Sequence, residues 1–395
     1  MEQSYTSKQT EFLEKLESGA NIFLTGKAGT GKSFIVREGQ ALLKKMGKKH
    51  ISVAPTGIAA TNIDGQTIHS MFAINPFVIM TYDDANFVSG NNREVLKKAD
   101  VIIIDEVSQM RADLLDGMHY TLLKNGVKNG LKSKQLVFVG DMKQLPPIID
   151  DNTRSKLFEI YDGVNFEYSI VFQDLNVQTI ELNEIVRQSD PEFIEALNNV
   201  RDGRKDQYFK QFLTNDPAGV ILAPYNSTVA QYNKKGFDAQ PGDVFTFKAS
   251  IEGDAKIEDF NLEPLIEVKN GCKIMYLVNS RDNNLRNGTI GIFVSHKDCH
   301  YIRVGNVDYS LEKVELTKKK YVYNKSKDEL ELQEIGKIVQ YPFKLAYALS
   351  IHKSQGLTFD ECTVDLSRPC FQKEQLYVAL SRVKTPQGLR IIVKR

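Results

Sequence analysis

Gly26-Lys27-Ala28-Gly29-Thr30-Gly31-Lys32-Ser33 fits the pattern G-x-x-x-x-G-K-[ST] in full, and it lies between an apolar run and a helix-like run. Asn21 to Thr25 (NIFLT) reads as a short buried strand and Phe34 to Lys45 as a helix, which is the strand–loop–helix context this pattern needs. The glycines let backbone N–H groups turn inward onto phosphate oxygens at a helix N-terminus. Lys32 then reaches the β and γ oxygens, and the Ser33 hydroxyl suits Mg²⁺. The stretch reads as a phosphate cradle, and its partners must come from elsewhere in the chain.

Outward from the cradle, apolar runs alternate with helical stretches: NIFLT at 21–25, ISVAP at 51–55, VIIID at 101–105, QLVFVGD at 135–141 and VQTIEL at 177–182. Continuous apolar strands separated by helices indicate a parallel sheet covered on both faces, so the fold class is α/β. The stretch at about 72–99 has no clear period and contains Pro, Asn and Gly, which marks it as an insertion. A second α/β unit is expected from 183–240 and 342–395, with GVILAPY, TVDLS and LRIIVKR as its strands. Between them, at about 241–341, short β runs with turns at Asn287-Gly288 and Gly305-Asn306 predict a small barrel-like β insertion. The first unit is thus expected over 1–182.

Asp105-Glu106 follows an apolar VIII run at the carboxyl end of a buried strand, where ligands bind in open α/β sheets. Asp105 can hold Mg²⁺ together with Ser33, and Glu106 can deprotonate an attacking water. Gly140 to Pro147 (GDMKQLPP) follows another such strand, and the Gln144 amide can touch both a γ-phosphate and the water, although the same stretch also reads as a plain turn. Arg187 (EIVRQ) and Arg382 (VALSR) lie in the second unit and could stabilise transferring phosphoryl charge or form surface ion pairs; the residues alone leave both open.

The remainder of the composition mainly excludes. With 42% hydrophobic and 26% charged residues over 395, the balance is that of a globular chain of two or three domains. No apolar run reaches the length of a membrane span and the start is polar, so a cytoplasmic protein is expected. Cys272, Cys299, Cys362 and Cys370 are scattered without C-x-x-C pairs, against a zinc site or disulfide framework. The net charge of +1 advertises no polyanion, so any nucleic-acid site must be local; Lys318-Lys319-Lys320 is the densest basic run and reads as a solvated loop.

The series GKAGTGKS, APTGIAA, TIHS, DEVSQM, GDMKQLPP, EIVRQ, ALSIHKSQGLTFD and VALSR is similar to the motif set of superfamily 1B, RecD-like helicases. More narrowly it resembles the petite-integration-frequency family of 5′→3′ DNA helicases, over a span from Gln9 to Arg382. The segment from Met110 to Lys134 resembles the family signature only in its first half.

The resemblance implies two RecA-like parallel-sheet domains, with a wedge at about 72–99 and an SH3-like insertion at about 241–341. It implies that Gln9 reads the adenine edge and that Gly26, Ala28, Gly29, Thr30, Gly31, Lys32, Ser33, Asp105, Glu106, Gln144, Arg187 and Arg382 form the ATP–Mg²⁺ site. Pro55, Thr56, His69, Phe72, Thr289, His352 and Lys353 would lie along a single strand, a set that suits sequence-tolerant binding. As isolated residues, His69 and Phe72 also read as core. Phe77 or Phe87 would be the tip of the wedge. The start close to Gln9 and the end just after Arg382 resemble a minimal motor.

The expected protein is a monomeric ATP- and Mg²⁺-dependent 5′→3′ DNA helicase acting on single-stranded DNA and forked or tailed duplexes, with G-quadruplexes and RNA–DNA hybrids as further substrates. Three rivals are an RNA-directed motor, a nucleotide-gated binding module without turnover and a P-loop kinase. Glu106, Arg187 and Arg382 argue against the second, and the IHKSQG unit has no role in the third.

Overall fold

The first helix, α1 (Ser7–Glu17), begins at a capping box in which Thr6 Oγ1 accepts from the Gln9 backbone N–H at 3.3 Å and Gln9 Oε1 accepts from the Thr6 N–H at 3.0 Å. Its buried Phe12 and Leu16 join the apolar side of α2 (Lys32–Lys45), which contributes Ile35, Val36 and Leu43. The computed structural model describes residues 5–27, 29–75, 81–183, 190–280, 285–297 and 299–394, so Ala28, Phe77 and Arg187 lie outside the described residues.

Strands β1 (Asn21–Gly26), β2 (His50–Ala54), β3 (Gln66–Thr67), β4 (Val101–Ile104), β5 (Gln135–Val139) and β6 (Val177–Leu182) form one sheet in the order β3-β2-β4-β5-β1-β6. All neighbours are parallel. Between these strands run α3 (Gly57–Asn62), α4 (Ile68–Phe72), α5 (Gly90–Lys98), α6 (Ala112–Lys124), α7 (Asp151–Phe158) and α8 (Ile170–Gln173).

The alternation of strand side chains explains the two covered faces. Ile22, Leu24, Val101, Ile103, Val137 and Val139 pack with α1 and α2, whereas Phe23, Ile102, Ile104, Leu136 and Phe138 pack with residues of α4, α5 and α6. Every one of these is buried, which is why the strands read as unbroken apolar runs.

The second part of the chain opens with α9 (Pro191–Arg201), β7 (Val220–Ala223) and α10 (Asn226–Asp238). Short strands follow: β8 (Phe245–Lys248), β9 (Ser250–Gly253), β10 (Leu265–Val268), β11 (Lys273–Tyr276), β12 (Ile290–His296), β13 (Cys299–Val304), β14 (Val307–Ser310), β15 (Val314–Asn324), β16 (Glu329–Gln340) and β17 (Phe343–Leu345). They make antiparallel sheets ordered β14-β13-β12-β11-β17, β10-β8 and β15-β16-β9. Phe293, Ile274, Ile302 and Phe343 are fully buried at the centre of this β region. The chain then supplies β18 (Ala348–Ser350), β19 (Cys362–Leu366), α11 (Lys373–Leu380) and β20 (Leu389–Val393), which close a second parallel sheet in the order β18-β7-β19-β20. The expected α/β class with two parallel sheets is what the chain adopts.

The described chain divides into two compact units, Met1–Val186 with Lys318–Ile335, and Arg187–Thr317 with Gly336–Arg395. The 318–335 segment, expected inside the 241–341 insertion, therefore groups with the first unit. The reason is Tyr321: its ring is buried in the first unit's core, its hydroxyl accepts from the Ser52 N–H at 3.0 Å, and its N–H donates to Gln66 Oε1 at 2.8 Å. The Lys318-Lys319-Lys320 run is half-buried strand rather than loop. All four cysteines are free, and among the described residues no helix is long and apolar enough to cross a membrane.

Candidate nucleotide and nucleic-acid sites

In the first sheet the neighbours β2, β4, β5 and β1 deliver, at their carboxyl ends, Pro55-Thr56, Asp105-Glu106, Gly140 to Gln144 and the Gly26 loop. Backbone hydrogen bonds tie the row together: the Asp105 N–H donates to the Val53 carbonyl at 2.9 Å, and the Gly140 N–H to that of Leu24 at 3.1 Å. This edge is where open α/β sheets take ligands.

The cradle has no room for a side chain at its first glycine. Gly26 has φ +151°, and a Cβ there would stand 2.7 Å from the Leu182 carbonyl oxygen and 2.8 Å from Thr30 Oγ1. Thr30 Oγ1 instead donates to the Lys27 carbonyl at 2.9 Å and closes the turn. Lys32 Nζ donates to the carbonyls of Gly26 and Lys27 at 2.7 and 3.1 Å, while Ser33 is exposed in the first turn of α2. A Cβ on Gly31 would lie 3.3 Å from Gln9 Nε2, so the Gln9 amide reaches over the loop even though its carbonyl oxygen is committed to the capping box.

Burial pushes the Asp105 carboxyl above the ordinary carboxylate range, while the Glu106 N–H, 2.8 Å from Asp105 Oδ1, and the Lys32 ammonium pull the other way. Glu106 adopts φ +52°, a left-handed backbone that costs a non-glycine residue on the order of 1–3 kcal/mol and that clusters at active sites. Buried Gln144 donates to Asp141 Oδ2 at 3.4 Å, and Asp141 Oδ1 accepts from the Lys143 N–H at 3.0 Å, so GDMKQ is a closed turn that fixes the amide. Among the described residues no three His, Cys, Asp or Glu side chains gather into a metal cage. A single hydroxyl and a single carboxylate, completed by phosphate oxygens, is the donor set that suits Mg²⁺.

Pro55 and Thr56 lead into α3, where Thr56 Oγ1 caps the helix by accepting from the Ala59 N–H at 3.3 Å. The His69 ring bonds the Pro55 carbonyl, which brings the TIHS and APT motifs together. Burial lowers the His69 pKa and Arg111 lowers it further, opposed by Asp113; Arg111 itself grips Asp113 with two bonds of 2.8 and 2.7 Å. Phe72 requires a correction. It is fully buried, on the same face of α4 as Ile68 and Met71, so its ring supports the sheet and is not available to stack on a base. Phe87 is 76% exposed, and buried Asn125 holds the chain on both sides of it: Asn125 Oδ1 accepts from the Val88 N–H at 3.0 Å, and Asn125 Nδ2 donates to the Asn86 carbonyl at 3.0 Å.

In the second unit His352 and exposed Lys353 begin a short 3₁₀ turn (His352–Ser354) just past β18. The Asn287-Gly288-Thr289 turn comes to the same loop: a Cβ on Gly288 would lie 3.5 Å from Leu357 Cδ2. Thr289 Oγ1 is engaged by the Arg286 N–H at 3.2 Å. Beside Lys353 is a cavity of about 430 Å³ lined by Asn233, Glu263, Glu267, Lys344 and Ser350 among others. Burial first, and Lys353 second, lower the Lys344 ammonium to about 8.

For Arg382 the structure corrects only the surface reading. The side chain is buried, not displayed: Nε donates to the Val378 carbonyl at 2.7 Å, Nη1 to the Leu357 and Ser354 carbonyls at 3.3 and 3.4 Å, and Nη2 to Ser381 Oγ at 2.8 Å. A buried guanidinium must find acceptors: Ser354 and Leu357 in the IHKSQGL stretch supply two, and Val378 and Ser381 supply the others. Arg187 cannot be placed, because it lies outside the described residues.

Comparison with known proteins bears on these sites. Residues 4–211 match the family model for PIF1-like helicases. The chain is 29% identical to the ATP-dependent DNA helicase Pif1 of Campylobacter jejuni, an alignment that takes in 96% of this chain and 90% of that protein. Its fold is similar to Pif1 from Bacteroides sp. in complex with ADP-AlF4, with a TM-score of 0.87, 30% identity and coverage of 99% of this chain and 92% of the other. It is also similar to Bacteroides Pif1 bound to ssDNA, with a TM-score of 0.68, 31% identity and the same coverage of 99% and 92%. The family match spans more than half of the chain and the whole fold is shared, so this protein belongs to the PIF1-like helicase family.

Proposed function

We propose that this ATP-dependent DNA helicase moves 5′→3′ along a single strand and opens forked or tailed duplexes, working as a monomer. The observation that carries the reading is the row of loops on one sheet edge, where the candidate ATP residues and the candidate strand residues sit on adjacent, hydrogen-bonded strands. Chemistry at Asp105-Glu106 is then one strand away from the grip at Pro55-Thr56. The motif set, similar to that of 5′→3′ relatives, supports the direction.

In this scheme the cradle N–H groups and Lys32 hold the β and γ phosphates, with the Gln9 amide on the base edge. Ser33 and Asp105 would hold Mg²⁺, which supplies neutralisation of phosphate charge when bound. Gln144 orients the attacking water and Glu106 accepts its proton. Arg382 would meet a phosphate by loosening its bonds to the Ser354 and Leu357 carbonyls. Turnover would thereby loosen and re-form the loop that carries His352 and Lys353, which changes the hold on the strand as ATP is spent. Phe87, exposed on a loop pinned by Asn125, is the reading for the wedge tip. A nucleoid-associated location follows from such a substrate.

The test is ATPase activity with and without single-stranded DNA or RNA. Stimulation by DNA supports the reading, stimulation by RNA alone favours the RNA-directed motor, and no stimulation by either overturns it.

A further inference from the structure

Three parallel neighbours of the second sheet, β18, β7 and β19, each place a chemically distinctive side chain two residues past their carboxyl ends: His352, Tyr225 and Arg368. Phe371, on the same loop as Arg368, joins them. Its ring is parallel to that of His352, with centroids 5.8 Å apart at 15°, and it meets Tyr225 at 5.4 Å and 49°. The Arg368 guanidinium lies over the Tyr225 ring, its carbon 3.8 Å from the centroid, and is held by Ser227 Oγ at 3.0 Å. The Phe371 N–H donates to the fully buried Gln375 at 3.1 Å, which fixes the loop from below.

Despite these contacts Phe371 remains 51% exposed. A phenyl ring built into a row of aromatics, at the ligand edge of the sheet, with Arg368 and Lys353 as exposed cations around it, has the make-up of a nucleic-acid stacking platform. An isolated exposed phenylalanine would say little; the parallel imidazole and the guanidinium on the next ring distinguish this one.

We propose that Phe371, backed by Tyr225 and Arg368, stacks on a base of single-stranded DNA and extends the His352–Lys353 grip across the second sheet. The proposal rests on the strand-motor reading above. The aromatic ring supplies a sequence-tolerant contact, and Arg368 supplies a phosphate partner beside it.

The chain contains no tryptophan, so Phe371→Trp places a single indole at the proposed contact. Titrating this variant with a short oligothymidylate should quench or shift its emission at the concentration where binding saturates. Phe371→Ala should weaken binding roughly 5- to 150-fold, the range for loss of one stacked base, with the salt dependence unchanged, whereas Phe371→Tyr should bind as the parent does. Arg368→Ala should lower the salt slope by about one. If the parent binds the oligonucleotide, Phe371→Ala binds it equally well and the indole emission does not change, the platform is wrong while the strand reading stands. If the parent binds no single strand, both fall.

Discussion

Lys32 Nζ donates to the carbonyl oxygen of Gly26 at 2.7 Å, so the ammonium proposed to meet a phosphate is held by the loop's own first glycine. Lys32→Ala should therefore remove both a charge and a loop contact, abolishing turnover and weakening nucleotide binding. Glu106→Gln keeps the backbone and the cradle; it should bind nucleotide as the parent does and lose hydrolysis by roughly 10²- to 10⁴-fold, the usual worth of a general base. Nucleotide titration alongside steady-state ATPase separates the two variants. Parent-like ATPase in Glu106→Gln would mean that another group takes the proton.

Removing the Arg382 side chain leaves the Ser354 and Leu357 carbonyls without their guanidinium partner. Arg382→Ala should lower kcat and, in addition, cost about 2–4 kcal/mol of stability, because a charged hydrogen-bond network is broken in a buried place. Arg382→Lys should restore neither, since an ammonium cannot span the four acceptors. Thermal melting read with kcat decides. An Arg382→Ala protein that melts like the parent would contradict the inward arrangement.

The cradle, the Asp105-Glu106 pair and both parallel sheets were legible in the sequence because each is local: a complete loop pattern, or an apolar run with a polar end. Phe72 was misjudged for an equally local reason. Thr67 caps α4, and the spacing of Ile68, Met71 and Phe72 is that of a helix face turned to a core. What the sequence could not reveal is contact across distance. Tyr225, Arg368 and Phe371 become neighbours only when β7 and β19 pair, and Tyr321 joins the first unit only by hydrogen bonds to Ser52 and Gln66. Nor does a motif say which way a side chain points, and Arg382 points inward.

Phe87 is 76% exposed and contributes nothing to the core, so Phe87→Ala should fold and melt as the parent does. Unwinding of a forked duplex should fall while strand-stimulated ATPase is retained. Asn125→Ala, which frees both chain segments around Phe87, should reproduce the unwinding defect and also lower stability by roughly 1–3 kcal/mol through lost buried hydrogen bonds. Equal unwinding by Phe87→Ala and the parent would remove Phe87 from the wedge.

Lys344 titrates at about 8 in the folded protein, lowered by burial and by Lys353 against the opposing Glu263. Its unfolded value is near 10.4, so between these two pH values the unfolded chain holds more protons and stability rises with pH; below pH 8 the whole penalty is present. Lys344→Met should therefore be more stable at pH 7, by up to roughly 3 kcal/mol, and the difference from the parent should shrink toward pH 10. Denaturant midpoints of both proteins across that range test this. A constant difference would show that Lys344 is not the titrating group.

The most direct test of the central claim is the ATP-driven opening of two duplexes that differ only in the polarity of their single-stranded tail. The 5′-tailed duplex should be opened, the 3′-tailed one should not, and Glu106→Gln should open neither. Equal opening from the 3′ tail, or opening of the 5′-tailed duplex without ATP, would contradict the account.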